Sequence, residues 1–335
     1  MTFEHVLITG GAGYCGSLLT PQLLEMGYRV TIYDIMYYGS DFLPLDNPRL
    51  SLVEGDIRDT GRFAAALDGV DAVIHLACIS NDASFELDEA LSTTVNLDAF
   101  EPLVVAAKEA GVRRFIYAST SSVYGVSDEP EVKEDHPLVP LTLYNKFKGM
   151  CEPLLLKHTD EAFRGVIYRP ATVCGYAPRQ RLDLSVNILT NHAVNKGVIT
   201  VFGGSQLRPN LHIQDYCDLC KLLLEAPDEK IADQIFNCGY QNHSIMELAE
   251  IVKGVVEKEF PERGEIEIVT TPSDDLRSYH INSDKIAEVL GFRPRHSVEE
   301  AVRDLCRAFR DGRLPDSFDD NRYYNVRTMK AIAAA

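Results

Sequence analysis

Two hydrophobic periods alternate along the first half of the chain. Residues 5–9 (HVLIT) are a short apolar run that predicts a buried strand, and 17–26 carry a helical pattern closed by Gly27. A second strand is predicted over 28–33, ending at Asp34, a third over 50–53 and a helix over 60–67. The run 70–77 (VDAVIHLA) is almost continuously apolar, as in a strand covered on both faces of a parallel sheet. A helix over 91–110 stops at Gly111, and a strand follows at 114–118. Strands and helices alternating at this spacing predict an α/β fold with a doubly wound parallel sheet.

The second half departs from strict alternation. Strands are predicted at 165–169, 198–202 and 234–238, a basic, proline-containing loop at 177–181, and amphipathic helices at 244–259 and 297–309. These elements predict a sheet domain over 1–172, with 198–238 returning to the sheet. Residues 173–197 and 239–312 then form a smaller, mostly helical C-terminal lobe. The tail, 313–335, is polar, ends in small residues and is expected to be poorly ordered.

Composition narrows the class. The 335 residues, 45% hydrophobic and 25% charged, suit a globular protein with a sizeable core. A net charge of -17, from 33 basic and 50 acidic residues, argues against a nucleic-acid surface, which needs a clustered basic patch. No stretch approaches a membrane span and no basic, apolar leader opens the sequence, so a cytoplasmic location is expected. Cys217 and Cys220 form the only CxxC among eight cysteines, with no second ligand pair, so no metal is expected.

Candidate chemistry gathers at strand ends. Gly10, Gly13 and Gly16 follow the first strand at three-residue spacing and open a helix, the context of a dinucleotide-binding turn. In such a turn a pyrophosphate rests on the N–H groups of the helix start. Asp34, 18 residues past Gly16, stands where an acid accepts from the adenosine ribose, which favours NAD over a 2′-phosphorylated cofactor. Tyr144 and Lys148 are four apart on one helix face, an arrangement that lets an ammonium lower the pKa of a phenol acting as base. The hydroxyl run Ser119-Thr120-Ser121-Ser122 follows a strand, where doubly wound folds place ligands.

With these residues in hand, TGGAGYCG, HLAC, STSSVYG, YNKFK, RPNLHIQD and FNCG resemble the extended short-chain dehydrogenase/reductases, and within them the NAD-dependent nucleotide-sugar epimerase/dehydratase group. The resemblance implies a Rossmann-type fold with the lobe binding substrate. It implies NAD contacts from Gly10, Gly13, Tyr14, Cys15, Gly16, Asp34, Asp56, Ile57, Leu76, Ala77, Cys78 and Asn96. It makes Tyr144 the base and Thr120 its hydroxyl partner, with Lys148 on the nicotinamide ribose. Substrate contacts are implied for Thr120, Ser121, Ser122, Arg179, Asn187, Arg208 and Arg277, the last two on a sugar nucleotide's diphosphate. Members often pair as homodimers through two helices, here 91–110 and 144–157.

Departures bear on the reaction. Ser121 and Ser122 stand where 4,6-dehydratases carry an acidic pair, Ser122 where decarboxylating members carry a glutamate, and Thr172 replaces a usual asparagine. Epimerisation at C4 through a 4-keto intermediate needs only Thr120, Tyr144, Lys148 and NAD. The alternatives are a 4-keto-sugar reductase or dehydrogenase, a 4,6-dehydratase using other acids, and an NAD-sensing regulatory protein on the same fold.

Overall fold

The computed structural model describes residues 3–127, 129, 131–273 and 278–334. The chain runs β1 (His5–Thr9), α1 (Tyr14–Glu25), β2 (Arg29–Asp34), β3 (Leu50–Glu54), α2 (Thr60–Ala66) and β4 (Ala72–His75). Short helices α3 (Asp82–Phe85) and α4 (Glu89–Thr93) lead to α5 (Phe100–Glu109), β5 (Arg114–Ala118), α6 (Leu143–Leu156), β6 (Arg164–Pro170) and β7 (Thr172–Cys174). Then come α7 (Ser185–Lys196), β8 (Val198–Phe202), β9 (Leu207–His212), α8 (Ile213–Glu225), α9 (Asp228–Ile231), β10 (Gln234–Cys238) and β11 (Gln241–Ser244). The chain continues through α10 (Ile245–Glu259), β12 (Glu267–Thr271), α11 (Asp284–Leu290), α12 (Val298–Arg310) and α13 (Asn325–Ala333).

Seven strands form one parallel sheet in the order β10-β6-β5-β4-β1-β2-β3. The period of two shows in how successive residues part between its faces. Val6, Ile8, Ala72, Ile74, Ile116 and Val166 pack on one side with Leu19 and Leu23 of α1 and Leu219 and Leu223 of α8. Leu7, Val73, Phe115 and Ile167 pack on the other with Phe63, Leu103 and Leu155 from α2, α5 and α6. Winding reverses between β1 and β4, which opens a crevice at their carboxyl ends. A separate core of Leu189, Val252, Val256 and Val302 joins α7, α10 and α12 into the lobe.

Three expectations change. Within 198–238 only β10 returns to the large sheet, beside β6. β8 instead pairs in parallel with β12, because Ile199 and Val201 face the lobe core; periodicity sets which faces are buried but not which strand is the neighbour. The helix expected over 91–110 is interrupted by a π-helical turn at Thr94–Asp98. There Asn96 commits both ends of its amide to the backbone of Ile79, a local demand that apolar spacing does not record. The tail is packed rather than loose, since Tyr324, Asn325, Thr328 and Met329 are buried against the rest of the protein.

One buried ion pair ties the strand ends that carry the site. Arg169, ending β6, donates Nε and Nη2 to the Glu152 carboxylate of α6 at 2.9 and 2.6 Å, and Ser119 just past β5 donates to the same carboxylate at 2.6 Å. Both charged side chains are 3% exposed, so neither can turn to water. Removing one partner of such a pair costs about 3–5 kcal/mol, because the other charge stays buried. Glu152→Ala is therefore expected to lower the unfolding free energy by about that amount in urea titrations. Adding Arg169→Met in the same chain should recover most of the loss.

Candidate active site

The crevice between β1 and β4 is a cavity of about 410 Å³. At its floor α1 begins at Tyr14 behind Gly13, with no side chain capping its first turn, so the N–H groups there face the cavity and favour an anion. Gly10 takes φ 71°, and a Cβ there would lie 2.7 Å from the Ala77 nitrogen at the end of β4. Gly13 is different: an added Cβ would meet only the Gly10 oxygen, at 3.0 Å, and would otherwise enter the open cradle.

One end of the cavity is acidic. Asp34 accepts from the Ala12 N–H at 3.0 Å and the Met36 N–H at 2.9 Å, so its carboxylate braces the glycine turn and remains at the cavity wall. Asp56 is gripped by Arg58, whose hydrogen bonds hold its carboxyl below the usual range. Ile57, Leu76, Ala77 and Cys78 continue this wall, together with Cys15.

The opposite end gathers the hydroxyls. Thr120 and Ser122 share a hydrogen bond of 2.8 Å, and Ser122 donates to Asn145 Oδ1 at 2.5 Å. Helix α6 starts at Thr142, which accepts from the Asn145 N–H, and so brings Tyr144 and Lys148 to the same wall as Thr120 and Ser121. Lys148 donates to the Ala118 carbonyl at 2.5 Å with its ammonium 4.8 Å from the centre of the Tyr117 ring. Burial pushes the Tyr144 phenol well above its ordinary range; Cys78 and Asp82 push it the same way, and Arg181 pulls it down. Among the strongest influences on the phenol, Arg181 is the cation; the depression expected from Lys148 is not among them.

Placement of the remaining residues is mixed. Arg208 lines the cavity with its guanidinium 5.3 Å from the Tyr279 ring centre. Arg179 also lines it, with its guanidinium against the ring of Tyr38, 3.5 Å from its centre, and within the influence of Asp34. Asn96 sits behind the wall on the Ile79 backbone. Asn187 is fully buried and not at the wall: it accepts from Gly175 N and donates to the Arg181 carbonyl, holding the 175–181 loop in place. Arg277 lies outside the described residues.

The cavity also has walls that the motifs did not indicate: Tyr38, Asp82, Arg181, Tyr279, Asn325 and Met329. Arg181 belongs to the basic loop and could have been singled out by charge. Asn325 and Met329 come from the tail, where no motif points to them.

The comparisons with known proteins fit this geometry. Residues 6–239 match the model of the NAD dependent epimerase/dehydratase family. The chain belongs to that family. It is 28% identical over 325 residues to dTDP-glucose 4,6-dehydratase of Actinoplanes sp. (strain ATCC 31044 / CBS 674.73 / SE50/110), covering 92% of this chain and 98% of that one. It is also 28% identical over 326 residues to UDP-glucose 4-epimerase of Lactobacillus helveticus, covering 89% and 94%. The crystal structure of DesIV, a dTDP-glucose 4,6-dehydratase from Streptomyces venezuelae with NAD bound, superposes with a TM-score of 0.81 at 27% identity, covering 92% of this chain and 98% of that one.

This family member is an NAD-dependent enzyme, and its crevice suits the cofactor. Gly13 leaves the cradle open, the start of α1 favours phosphate, and Asp34 offers a carboxylate to ribose hydroxyls. Among the described residues no helix is long and apolar enough to cross a membrane. Gly13→Ala should fold with a melting temperature near that of the wild type, since the new methyl meets little protein. It should retain NAD about tenfold less tightly, as read from cofactor content after gel filtration.

Proposed function

We propose that this enzyme epimerises a nucleotide sugar at C4 through a transient 4-keto intermediate. The observation that supports it is the meeting of Thr120, Tyr144 and Lys148 on one cavity wall, with hydroxyls at Ser121 and Ser122 where a dehydratase needs acids. Among the described residues lining the reactive end, Asp82 is the one carboxylate, and it accepts from Thr142 at 2.6 Å. A single carboxylate so engaged supplies an elimination with neither the paired acid nor the paired base it requires.

Bound NAD supplies the hydride acceptor and donor. Tyr144 takes the proton of the C4 hydroxyl and later returns it, while Thr120, fixed by Ser122 and Asn145, orients the reacting oxygen. Lys148, held by the Ala118 carbonyl, keeps further N–H donors for the nicotinamide ribose. Arg208 lies along the cavity to hold the diphosphate of the substrate, so the sugar can present either face while its anchor stays put. The supporting relatives are the dehydratase and the epimerase above, whose names each carry a nucleotide sugar, dTDP-glucose in one and UDP-glucose in the other.

A panel of nucleotide sugars, followed by NMR at C4 and by absorbance at the NADH band, tests this reading. Inversion at C4 without net cofactor reduction is the expected result. Stoichiometric consumption of NADH would assign a reductase, and a 4-keto-6-deoxy product a dehydratase. Tyr144→Phe should reduce kcat about 10²–10⁴-fold with NAD retention unchanged. Because the phenolate is the active form and Arg181 favours it, activity falls as pH drops through the Tyr144 pKa. Arg181→Met should therefore move the acidic limb of the kcat/KM profile upward by about one pH unit.

A further inference from the structure

Arg179 is a buried arginine with no carboxylate in salt-bridge contact among the described residues; Asp183 and Asp34 act on it only from further away. Four arginines are buried among the described residues: Arg114, Arg169, Arg179 and Arg181. Arg114 pairs with Asp228, Arg169 with Glu152 and Arg181 with Asp183. Arg179, 4% exposed, forms no such pair among the described residues. Its Nη2 donates to a neutral amide, Asn325 Oδ1, at 2.7 Å, and its Nε is buried without a partner. A buried guanidinium without a counter-charge costs stability unless an anion joins it.

Its location selects the anion. The Arg179 main-chain N–H donates to Ser17 Oγ in the first turns of α1, so the residue rises directly from the helix start that faces the glycine turn. Its guanidinium lies on Tyr38, four residues past Asp34, and the charged groups acting on it include Asp34 on the acidic side of the cavity. We propose that Arg179 binds the diphosphate of NAD and that Asn325, at the start of α13, holds it there, so that the C-terminal segment keeps the cofactor in place through turnover. Asn325 is itself fixed on two further sides: its N–H donates to Asp183 at 3.1 Å and its amide to Ser80 at 2.8 Å. Met329, one turn further along α13, completes the same wall. The assignment moves Arg179 from the substrate to the cofactor and does not depend on which reaction follows.

The test compares wild type, Arg179→Gln, Asn325→Ala and, as a control on the exposed side of the same helix, Lys330→Ala. Cofactor content after gel filtration and the rate of NAD loss on dilution are read by absorbance. Affinity for free UDP, as a probe of the substrate diphosphate site, is read by calorimetry. Arg179→Gln should release NAD about tenfold faster, Asn325→Ala should fall between it and wild type, and Lys330→Ala should match wild type. UDP affinity should stay within about twofold throughout. Stripped of cofactor, Arg179→Gln should melt no lower than wild type, since it removes a charge that lacks a partner. Unchanged NAD retention in Arg179→Gln overturns the proposal, as does a loss of UDP affinity with NAD retained. Equal retention of NADP and NAD by wild type would assign the guanidinium to a ribose 2′-phosphate and would also overturn it. If Arg179→Gln does not fold, unchanged retention in Asn325→Ala overturns it in the same way. Failure of the C4 reading leaves all these measurements as they are.

Discussion

Everything in the cleft depends on a backbone approach that only missing side chains permit. The turn after β1 runs so close to β4 that a methyl on Gly10 would strike the Ala77 main chain at 2.7–2.8 Å, and a methyl on Gly16 would strike Gly11 at 2.5–2.7 Å. This closeness places the α1 start beside the ends of β4 and β5, and hence the cofactor cradle beside Thr120 and Tyr144. Had the turn bulged outward, the helix dipole would still attract phosphate, but the ring of the nicotinamide would have no fixed relation to α6. A parallel sheet favours the arrangement, because every strand then delivers its carboxyl end to the same rim.

The rim is held from behind by polar residues that do not line the cavity. Glu152 and Arg169 join α6, β5 and β6; Asn96 fixes the Ile79 backbone beyond β4; Asn187 fixes the loop that presents Arg179 and Arg181. Each satisfies backbone or charged groups that burial would otherwise leave without partners. Of these, Asn96 and Asn187 are the ones that the family resemblance implies as ligand contacts. In the structure their polar atoms hold backbone and charged groups around the site.

What was legible in the sequence follows from range. The strands β1, β2, β4 and β5 and the glycine turn are written in local periods and short spacings, and so are Asp34 and the Tyr144–Lys148 pair. β8 was recognisable as a strand, yet its partner β12 lies far along the chain and shares no local mark with it. The same holds for Asn325, which meets Arg179 across 146 positions. A polar tail rich in small residues reads as disordered because the contacts that order it belong to other segments. Electrostatics has the same limit: four-residue spacing brings Lys148 near Tyr144, but only the folded chain shows its ammonium on the Ala118 carbonyl and Arg181 acting on the phenol.

The charges left unbalanced give the cleft a direction. The protein by itself raises the Tyr144 phenol, so a base is scarce in the empty enzyme at neutral pH. Arg179 is likewise buried, with a neutral amide as its side-chain hydrogen-bond partner. A ligand that is negative along its diphosphate and positive at its far ring meets both demands at once, and meets them at the two ends where they occur. A protein that had neutralised each group internally would bind that ligand less tightly, and would keep a reactive phenolate when nothing was there to use it. Burial thus acts on both groups in the same sense: it keeps the phenol neutral and leaves the guanidinium without an ion pair, and a charged ligand in the cleft changes the balance for each.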